Sequence, residues 1–343
     1  MWDVGSVRTG ARRDVSPFPH EQSMSALPAQ SHAPLVSVVI PAYNCGAFIG
    51  DALDSILGQN YPALEVFVVD DGSTDDTCDV VSRRGTAVTL VRQRNAGAAV
   101  ARNAGMRLAR GKYVALLDAD DLWLPGKLRL QVDHLERHAD VAMSCTRWHL
   151  LHPDAAGHYH IEQPAAPESA AVDPKCNGWI YCELLLDCEV WTSTVVMRRE
   201  LCERVGGFDP ELRRGQDYDY WLRASRLTRI DRLDLPLALY RMQVAHDRKF
   251  PDTNWELTVI RRAIERWGAT GPDGRALPEA ALRERLWALS YRFGRMQYQG
   301  GRYALARTAF KAALSEQPTH FKTMLYAFAS GLRQLGPWTR ARR

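Results

Sequence analysis

The feature that most constrains the fold is a repeated alternation of strand patterns and helix patterns between residues 36 and 148. VSVVIPAY (36–43) and LEVFVVD (64–70) are continuous apolar runs, which are typical of strands buried on both faces. The alternation predicts an α/β domain with a mostly parallel, doubly wound sheet. The other strand patterns are TAVTLVRQ (86–93), YVALLD (113–118) and DVAMSCTRW (140–148), and the intervening helical patterns are FIGDALDSILGQ (48–59), GAAVARNAGMRLARG (97–111) and PGKLRLQVDHLERH (125–138).

Polar side chains follow three of these strands at the point where each strand ends. They are Tyr43 with Asn44, Asp70 with Asp71, and the run from Asp118 to Asp121. In doubly wound sheets, ligands bind outside the carboxyl ends of the strands. We therefore expect all three clusters on one rim of the sheet, forming a site.

Asp118 and Asp120 are two residues apart at a strand end, so their carboxylates project to the same side. Such a pair can share a divalent cation, and hard oxygen ligands suit Mg²⁺ or Mn²⁺. Asp121 begins the next turn beside them. The alternative for the triplet is a turn followed by a helix cap.

Two further segments point to a phosphate-bearing ligand. Asp71 can accept a hydrogen bond from a base N–H or a ribose hydroxyl. The run RNAGAAVARNAG joins glycines, Asn95, Arg102 and Asn103 to a helix start, which suits a phosphate-facing loop. The chain has neither the G-x-x-x-x-G-K-[ST] motif nor G-x-G-x-x-G after the first strand, so a P-loop and a dinucleotide site are not supported.

Three long segments together resemble the family 2 glycosyltransferases of the GT-A fold. They are PAYNCGAFIGDALDSILGQNYPALEVFVVDDGSTDDT, NAGAAVARNAGMRLARGKYVALLDADD and GGFDPELRRGQDYDYWLRA, within residues 35–245. The resemblance implies a mixed α/β sheet, a nucleotide-diphospho-sugar donor, Mg²⁺ or Mn²⁺, and sugar transfer with inversion.

The resemblance also assigns the donor site. Pro41, Tyr43 and Asp71 would surround the base and ribose, with Asn44 beside them. Asp118 and Asp120 would be the D-x-D pair, and Asp121 could replace either as a direct metal ligand. Arg102 and Asn103, with Asn95, would line the diphosphate side.

Inversion by single displacement needs one base that takes a proton from the acceptor hydroxyl. The family usually offers a Glu-Asp pair before an aromatic-rich helix, and this chain has Gln216 in place of the first acid. The resemblance makes Asp217 the base and Asp219 the fallback, with Gln216 on the acceptor side. Capping of the helix is the structural alternative for Asp217.

The resemblance extends to two weaker matches. Tyr240 and Arg241 fit a Tyr-Arg-x-His pattern, but His246 comes late in it, so His246 is a weak metal-ligand candidate. Arg241 could serve as the diphosphate cation instead. Trp191 and Thr192, followed by Ser193, lie where acceptor-side residues are expected, although Trp191 could equally close the core.

Domain organisation follows from the change of pattern along the chain. We expect a disordered leader (1–34), a GT-A domain (35–250) with a nucleotide half (35–125) and an acceptor half (126–250), and a helical region (251–343). One segment, at about 287–320, resembles a tetratricopeptide-like hairpin. The residues that fall at the positions of that repeat are Gly294, Gly301, Tyr303, Ala306, Phe310, Ala313 and Pro318. It would pack on the catalytic domain or bind a protein partner. For FKTMLYAFASGLRQLGPW, a membrane-surface helix and a buried closing helix both stay open.

Composition bounds the class of protein. The chain has 343 residues and a net charge of only +4, so nothing demands a nucleic-acid partner. Seven cysteines without a C-x-x-C pair favour reduced thiols in a cytoplasm. A zinc site at Cys176, Cys182 and Cys188 matches no usual spacing. No run of 18 apolar residues predicts a membrane span, and no signal peptide is evident.

The resulting prediction is an inverting, metal-dependent transferase that moves a sugar, by family frequency from UDP, to a surface-glycan or lipid-linked acceptor. It would be cytoplasmic, with peripheral contact at the inner face of the plasma membrane left open. The alternatives are a catalytically idle sugar-binding or scaffolding member and a nucleotidyltransferase.

Overall fold

The structure, a computed structural model, describes residues 33–162, 164–242 and 250–334. These residues form eight strands: β1 (Val36–Ala42), β2 (Leu64–Asp70), β3 (Thr89–Arg92), β4 (Tyr113–Leu116), β5 (Leu122–Trp123), β6 (Val141–Leu151), β7 (Val196–Arg198) and β8 (Arg229–Arg241). All of them join one sheet in the order β3-β2-β1-β4-β7-β6-β8-β5.

The helices within the same described ranges are α1 (Gly46–Leu57), α2 (Thr77–Ser82), α3 (Ala98–Leu108), α4 (Lys127–Arg137), α5 (Tyr181–Leu186), α6 (Arg199–Val205), α7 (Gln216–Ala224), α8 (Trp255–Trp267), α9 (Glu279–Gln299), α10 (Tyr303–Glu316) and α11 (Phe321–Gln334). Short 3₁₀ turns occur at Gly85–Ala87 and Thr192–Thr194. Each of the predicted strand and helix patterns corresponds to one of these elements.

The first half of the sheet is parallel, as predicted, because β2 pairs with β1 and β3, and β1 pairs with β4, all in parallel. The second half is mixed. The three-residue strand β7 runs antiparallel to both β4 and β6, and β5 runs antiparallel to β8. An apolar run predicts a strand but not its direction. The sheet is mostly parallel, as expected, and the antiparallel strands among those described are β5 and β7. Because β6 and β8 pair in parallel and point the same way as β4, the carboxyl end of β8 reaches the same rim.

The sheet is buried on both faces, which explains its continuous apolar strands. In β1, Val38 and Ile40 face one hydrophobic cluster with α1, while Val39 faces a second cluster. That second cluster also contains Val259 of α8 and Leu289 of α9. The C-terminal helices therefore share a core with the sheet, and the predicted domain boundary at residue 250 stays a prediction.

Helices α9 and α10 form a hairpin joined by three residues, at the place predicted for a tetratricopeptide-like unit. Gly294 lets the helices approach closely, since a Cβ there would lie 2.8 Å from the Phe310 ring. Ala306, Phe310 and Ala313 are buried along the contact. The assignment to that repeat family stays a prediction.

Helix α3 packs on β1 through a second glycine. A Cβ added to Gly105 would lie 2.4 Å from Cγ1 of Val39, whereas one added to Gly50 in α1 would find its nearest neighbours at 3.6 Å. We expect Gly105→Ala to lower the free energy of unfolding by about 1–3 kcal/mol through overpacking, despite the better helix propensity of alanine. Gly50→Ala, the matched control, should raise it by about 0.5–1 kcal/mol. Urea unfolding of both variants tests this, and changes of the same sign would contradict the packing described here.

Candidate active site

A cleft of about 380 Å³ lies at the carboxyl ends of β1, β2 and β4. The three polar strand ends do converge there, as the sequence predicted. Residues lining the cleft are Pro41, Ala42, Tyr43, Asn44, Cys45, Phe48, Asp71, Ala98, Ala101, Arg102, Asp118, Ala119 and Asp120. Most of the predicted donor-site residues are therefore neighbours in space.

On one side of the cleft, hydrogen bonds join the loop after β1 to the loop after β2. Asn44 adopts a positive φ of 49°, and its side-chain Oδ1 accepts a hydrogen bond from the Thr74 backbone N–H at 2.8 Å. Its own backbone N–H donates to Ser73 Oγ at 2.9 Å. Tyr43 is left 52% exposed beside them, so its ring is accessible at the mouth of the cleft.

Asp71 is buried, and its carboxylate organises the loop before α3. One oxygen accepts hydrogen bonds from Gln93 Nε2 (2.7 Å) and the Ala96 N–H (2.9 Å), and the other accepts from the Gly97 N–H (2.8 Å). Gly97 has a φ of 93°, which suits glycine. Asp71 thus fixes the predicted phosphate-facing loop as well as lining the cleft.

Arg102 is the buried cation of the cleft. Its Nη2 donates to Asp118 Oδ1 at 2.6 Å, while Nε and Nη1 are buried without a hydrogen-bond partner among the described residues. Its guanidinium carbon also lies 5.5 Å from the centre of the Phe208 ring. Burial opposes the charge, but Asp118 and, less strongly, Asp217 hold the pKa of Arg102 above its ordinary value.

Asp121 turns away from the cleft and into the protein. Its Oδ2 accepts hydrogen bonds from Ser193 Oγ (2.5 Å) and Trp191 Nε1 (3.2 Å), and its Oδ1 accepts from the Arg241 N–H (3.2 Å). Burial, with smaller contributions from neighbouring carboxylates, raises the pKa of Asp121 to about 7. These contacts differ from those expected of a cleft-facing metal ligand.

Trp191 and Ser193 connect the D-x-D turn to the 3₁₀ turn at Thr192–Thr194. Ser193 Oγ also accepts the Asp118 N–H at 3.1 Å, and the Ser193 carbonyl accepts Trp123 Nε1 at 2.6 Å. Trp191 stacks on Trp148, with ring centres 5.8 Å apart. Ser193, which the sequence analysis placed with the acceptor-side residues, thus makes structural contacts that hold the two turns together.

Asp217 lies at the start of α7, on the side of the helix that faces this turn. Its Oδ2 accepts a hydrogen bond from Thr192 Oγ1 at 3.3 Å. Gln216, the first residue of the helix, has a buried Oε1 without a hydrogen-bond partner among the described residues. Three predicted residues of the catalytic and acceptor sides are therefore together.

Asp219 faces a different direction, because residues two apart on a helix point to nearly opposite sides. Its Oδ2 forms a 2.8 Å ion pair with Arg223 Nε, one turn along α7. The structure does not bring the fallback base next to Asp217.

Arg241 enters the site from the end of β8. Its Nε donates to the Asp120 carbonyl at 2.9 Å, and its Nη2 pairs with Asp51 at 3.0 Å. Its guanidinium lies over the rings of Phe48 and Tyr159, at 5.0 and 4.6 Å from their centres. Tyr159 was not among the predicted site residues, because no pattern around it indicates a site.

Two predicted donor-site residues lie elsewhere. Asn103 bonds the backbone of Phe208 through both amide atoms, with Oδ1 accepting at 2.7 Å and Nδ2 donating at 2.8 Å, because it lies on the opposite side of α3 from the cleft. Asn95 is exposed in the loop before α3 and does not line the cleft. His246 falls outside the described residues.

The donor atoms of the cleft fit a divalent cation held jointly with a substrate. Asp118 and Asp120 line the cleft and are both partly accessible to solvent. Within the described ranges, no cluster of three or more His, Cys, Asp or Glu could hold a metal ion by itself. Two carboxylates are what Mg²⁺ or Mn²⁺ needs when substrate phosphates supply further ligands.

The cysteines proposed as an alternative zinc site lie in the hydrophobic core. Cys176 and Cys182 are buried there, Cys188 packs against it, and all of them are free thiols. Burial and the adjacent Asp217 raise the pKa of the Cys188 thiol.

In the described part of the chain, no helix is both long and apolar enough to cross a membrane.

Comparison with known proteins gives the family. The family model "Glycosyl transferase family 2" matches residues 37–182. TuaG of Bacillus subtilis, a putative teichuronic acid biosynthesis glycosyltransferase, is 35% identical over 195 residues, which are 55% of this chain and 71% of TuaG. WfaP of Escherichia coli, a UDP-Glc:α-D-GlcNAc-diphosphoundecaprenol β-1,3-glucosyltransferase, is 31% identical over 191 residues, covering 55% of this chain and 69% of WfaP.

The match covers only part of the length of some relatives. An uncharacterized glycosyltransferase of Rickettsia prowazekii is 29% identical over 201 residues, which are 58% of this chain and 61% of that protein. The chain therefore spans less than two thirds of that relative's length.

Solved structures confirm the predicted GT-A fold. S. aureus TarS in complex with UDP-GlcNAc has a TM-score of 0.59 at 20% identity, covering 88% of this chain and 92% of that one. The mannosyltransferase PcManGT from Pyrobaculum calidifontis, in complex with GDP-Man and Mn²⁺, has a TM-score of 0.52 at 21% identity, covering 89% and 88%. With the curated relatives, these similarities identify the chain as a member of glycosyl transferase family 2.

Proposed function

We propose that this protein is an inverting glycosyltransferase that moves a sugar from UDP to a hydroxyl group of a cell-envelope glycan. The observation that carries the proposal is the cleft, in which two accessible carboxylates, Asp118 and Asp120, lie beside the buried guanidinium of Arg102. This mixture of charges suits a diphosphate bound together with a divalent cation. TarS is bound to UDP-GlcNAc and WfaP is named for UDP-Glc, which supports UDP as the nucleotide.

The donor would occupy the cleft between β1, β2 and α3. Tyr43 and Pro41 would contact the base, and Asp71 would hold the loop that faces the phosphates and accept from the base or ribose. The unpaired Nε and Nη1 of Arg102 would donate to the diphosphate, since buried donors without partners are costly unless a ligand satisfies them. Asp118 and Asp120 would hold the metal, which would neutralise charge developing on the UDP leaving group.

The acceptor would approach from the side of Thr192 and Asp217. Asp217 would take the proton of the attacking hydroxyl while the acceptor oxygen bonds to the anomeric carbon and the bond to UDP breaks. Gln216, beside it, would contact the acceptor through its unpartnered Oε1. TuaG and WfaP are named for teichuronic acid and a diphosphoundecaprenol-linked sugar, which supports an envelope glycan or a lipid-linked oligosaccharide as the acceptor.

Metal dependence is tested with Asp120→Asn, which removes a charge and preserves shape. We expect UDP release from UDP-sugars by the full chain to need Mn²⁺ or Mg²⁺, and the variant to lose at least about 100-fold in rate, because electrostatic stabilisation of the leaving group is lost. Asp133→Asn, on the surface of α4, is the matched control. If UDP were released at the same rate with EDTA as with added metal, the predicted requirement for a metal ion would be wrong. Failure to bind any of UDP-, GDP- and dTDP-sugars with the fold intact would instead favour the catalytically idle alternative.

The identity of the base is tested by comparing Asp217→Asn with Asp219→Asn. General-base catalysis contributes about 10²–10⁴-fold, so Asp217→Asn should lower kcat by at least about 100-fold with little change in UDP affinity. Asp219→Asn breaks the ion pair with Arg223 and should mainly lower thermal stability. The test is to measure kcat, and UDP binding by calorimetry, for both variants. If Asp219→Asn lost more kcat than Asp217→Asn, Asp219 would be the base instead.

A further inference from the structure

Helix α11 (Phe321–Gln334) has one face packed on the protein and the opposite face exposed. Thr323 and Ser330 are fully buried, and the Tyr326 ring stacks on Phe310 with ring centres 5.4 Å apart. Trp287 Nε1 donates to Thr323 Oγ1 at 3.2 Å. These contacts fix how the helix is rotated about its axis against α9 and α10.

The outer face carries a stripe of large apolar side chains. It consists of Phe321, Met324, Leu325, Phe328 and Leu332, which are 71%, 40%, 56%, 65% and 51% exposed. From the first to the last, the stripe is about 16 Å long at 1.5 Å per residue. Isolated exposed apolar residues are ordinary, but a contiguous stripe on one helix face marks an interaction surface.

The charge of the C-terminal helices indicates what kind of partner the stripe binds. Residues 286–334 contain seven lysines and arginines and a single acid, Glu316, whereas the whole chain has 44 basic and 40 acidic residues. The rest of the chain therefore has more acids than bases. Lys311 and Lys322 have no acidic partner among the described residues, and Glu316 is itself paired with Arg261.

This combination disfavours a second copy of the chain on the stripe, since two strongly basic regions would repel each other. An amphipathic helix with phenylalanine and leucine on one face, in a region where basic residues outnumber acidic ones, is the pattern of helices that lie in the surface of an anionic bilayer. The aromatic rings can enter the headgroup boundary while lysine and arginine contact lipid phosphates.

We propose that the exposed face of α11 is a peripheral membrane-docking surface that binds anionic phospholipid. Phe321, Phe328 and Leu332 insert at the headgroup boundary, and Lys322 and Arg333 flank them. The proposal does not depend on the transferase activity, because it rests only on the C-terminal helices.

The test is co-sedimentation of the full chain with vesicles of phosphatidylglycerol and phosphatidylcholine in equal parts, and with phosphatidylcholine alone. We expect binding to the anionic vesicles that weakens with added salt. The double variant Phe328→Glu/Leu332→Glu should bind at least about tenfold more weakly, because both insertion and charge attraction are reduced.

The matched control is Leu108→Glu/Leu150→Glu, which introduces the same charges at leucines that are 44% and 52% exposed on the sheet domain. It should bind vesicles within about threefold of the unmodified chain if general charge alone has only a small effect. Circular dichroism melting verifies that both variants fold.

Three results would overturn the proposal. They are absence of binding to anionic vesicles, equal weakening by both double variants, and self-association of the full chain in sedimentation that Phe328→Glu/Leu332→Glu abolishes. The last would show that a second copy covers the stripe.

Discussion

The site depends on a buried carboxylate in the turn between β4 and β5. Asp121 accepts hydrogen bonds from Ser193, Trp191 and the backbone of Arg241, and so joins the D-x-D turn to the 3₁₀ turn and to the last strand of the sheet. An unpaired buried carboxylate would be costly, so these donors must stay in place while the chain is folded. The neighbouring Asp118 and Asp120 thereby keep a fixed position at the rim, where they can act on a ligand.

A second consequence is a division of charge within the cleft. Arg102 neutralises Asp118 on one side, and Arg241 is engaged by Asp51 and by the carbonyl of Asp120 on the other. A bound diphosphate would compete with Asp118 for Arg102, and a cation would compensate the carboxylate that it leaves. The ion pair between Arg102 and Asp118 compensates the buried charge of the cleft when no donor is bound.

The C-terminal helices contribute both to the core and to the surface. Through α8 and α9 they complete the core beneath the sheet, which explains why Val259 and Leu289 belong to the same cluster as Met197. Through α11 they present an apolar stripe within a basic region. A membrane contact on that stripe would hold the chain near a lipid-linked acceptor.

Local sequence patterns predict the strands, the helices and many of the residues that meet in the cleft. Continuous apolar runs predict strands buried on both faces, and polar residues directly after them predict a site, because strand ends in parallel arrangement share a rim. Of the residues predicted in this way, Tyr43, Asp71, Arg102, Asp118 and Asp120 do line the cleft.

The directions of the side chains and the arrangement of the second half of the sheet depend instead on contacts between distant segments. Asn103 contacts the backbone of Phe208 and Asp219 pairs with Arg223, and Asp121 is held inward by donors 70 or more residues away. Strand direction in β5 and β7, and the contact of Tyr159 with Arg241, likewise depend on packing between segments distant in sequence, which no local pattern encodes.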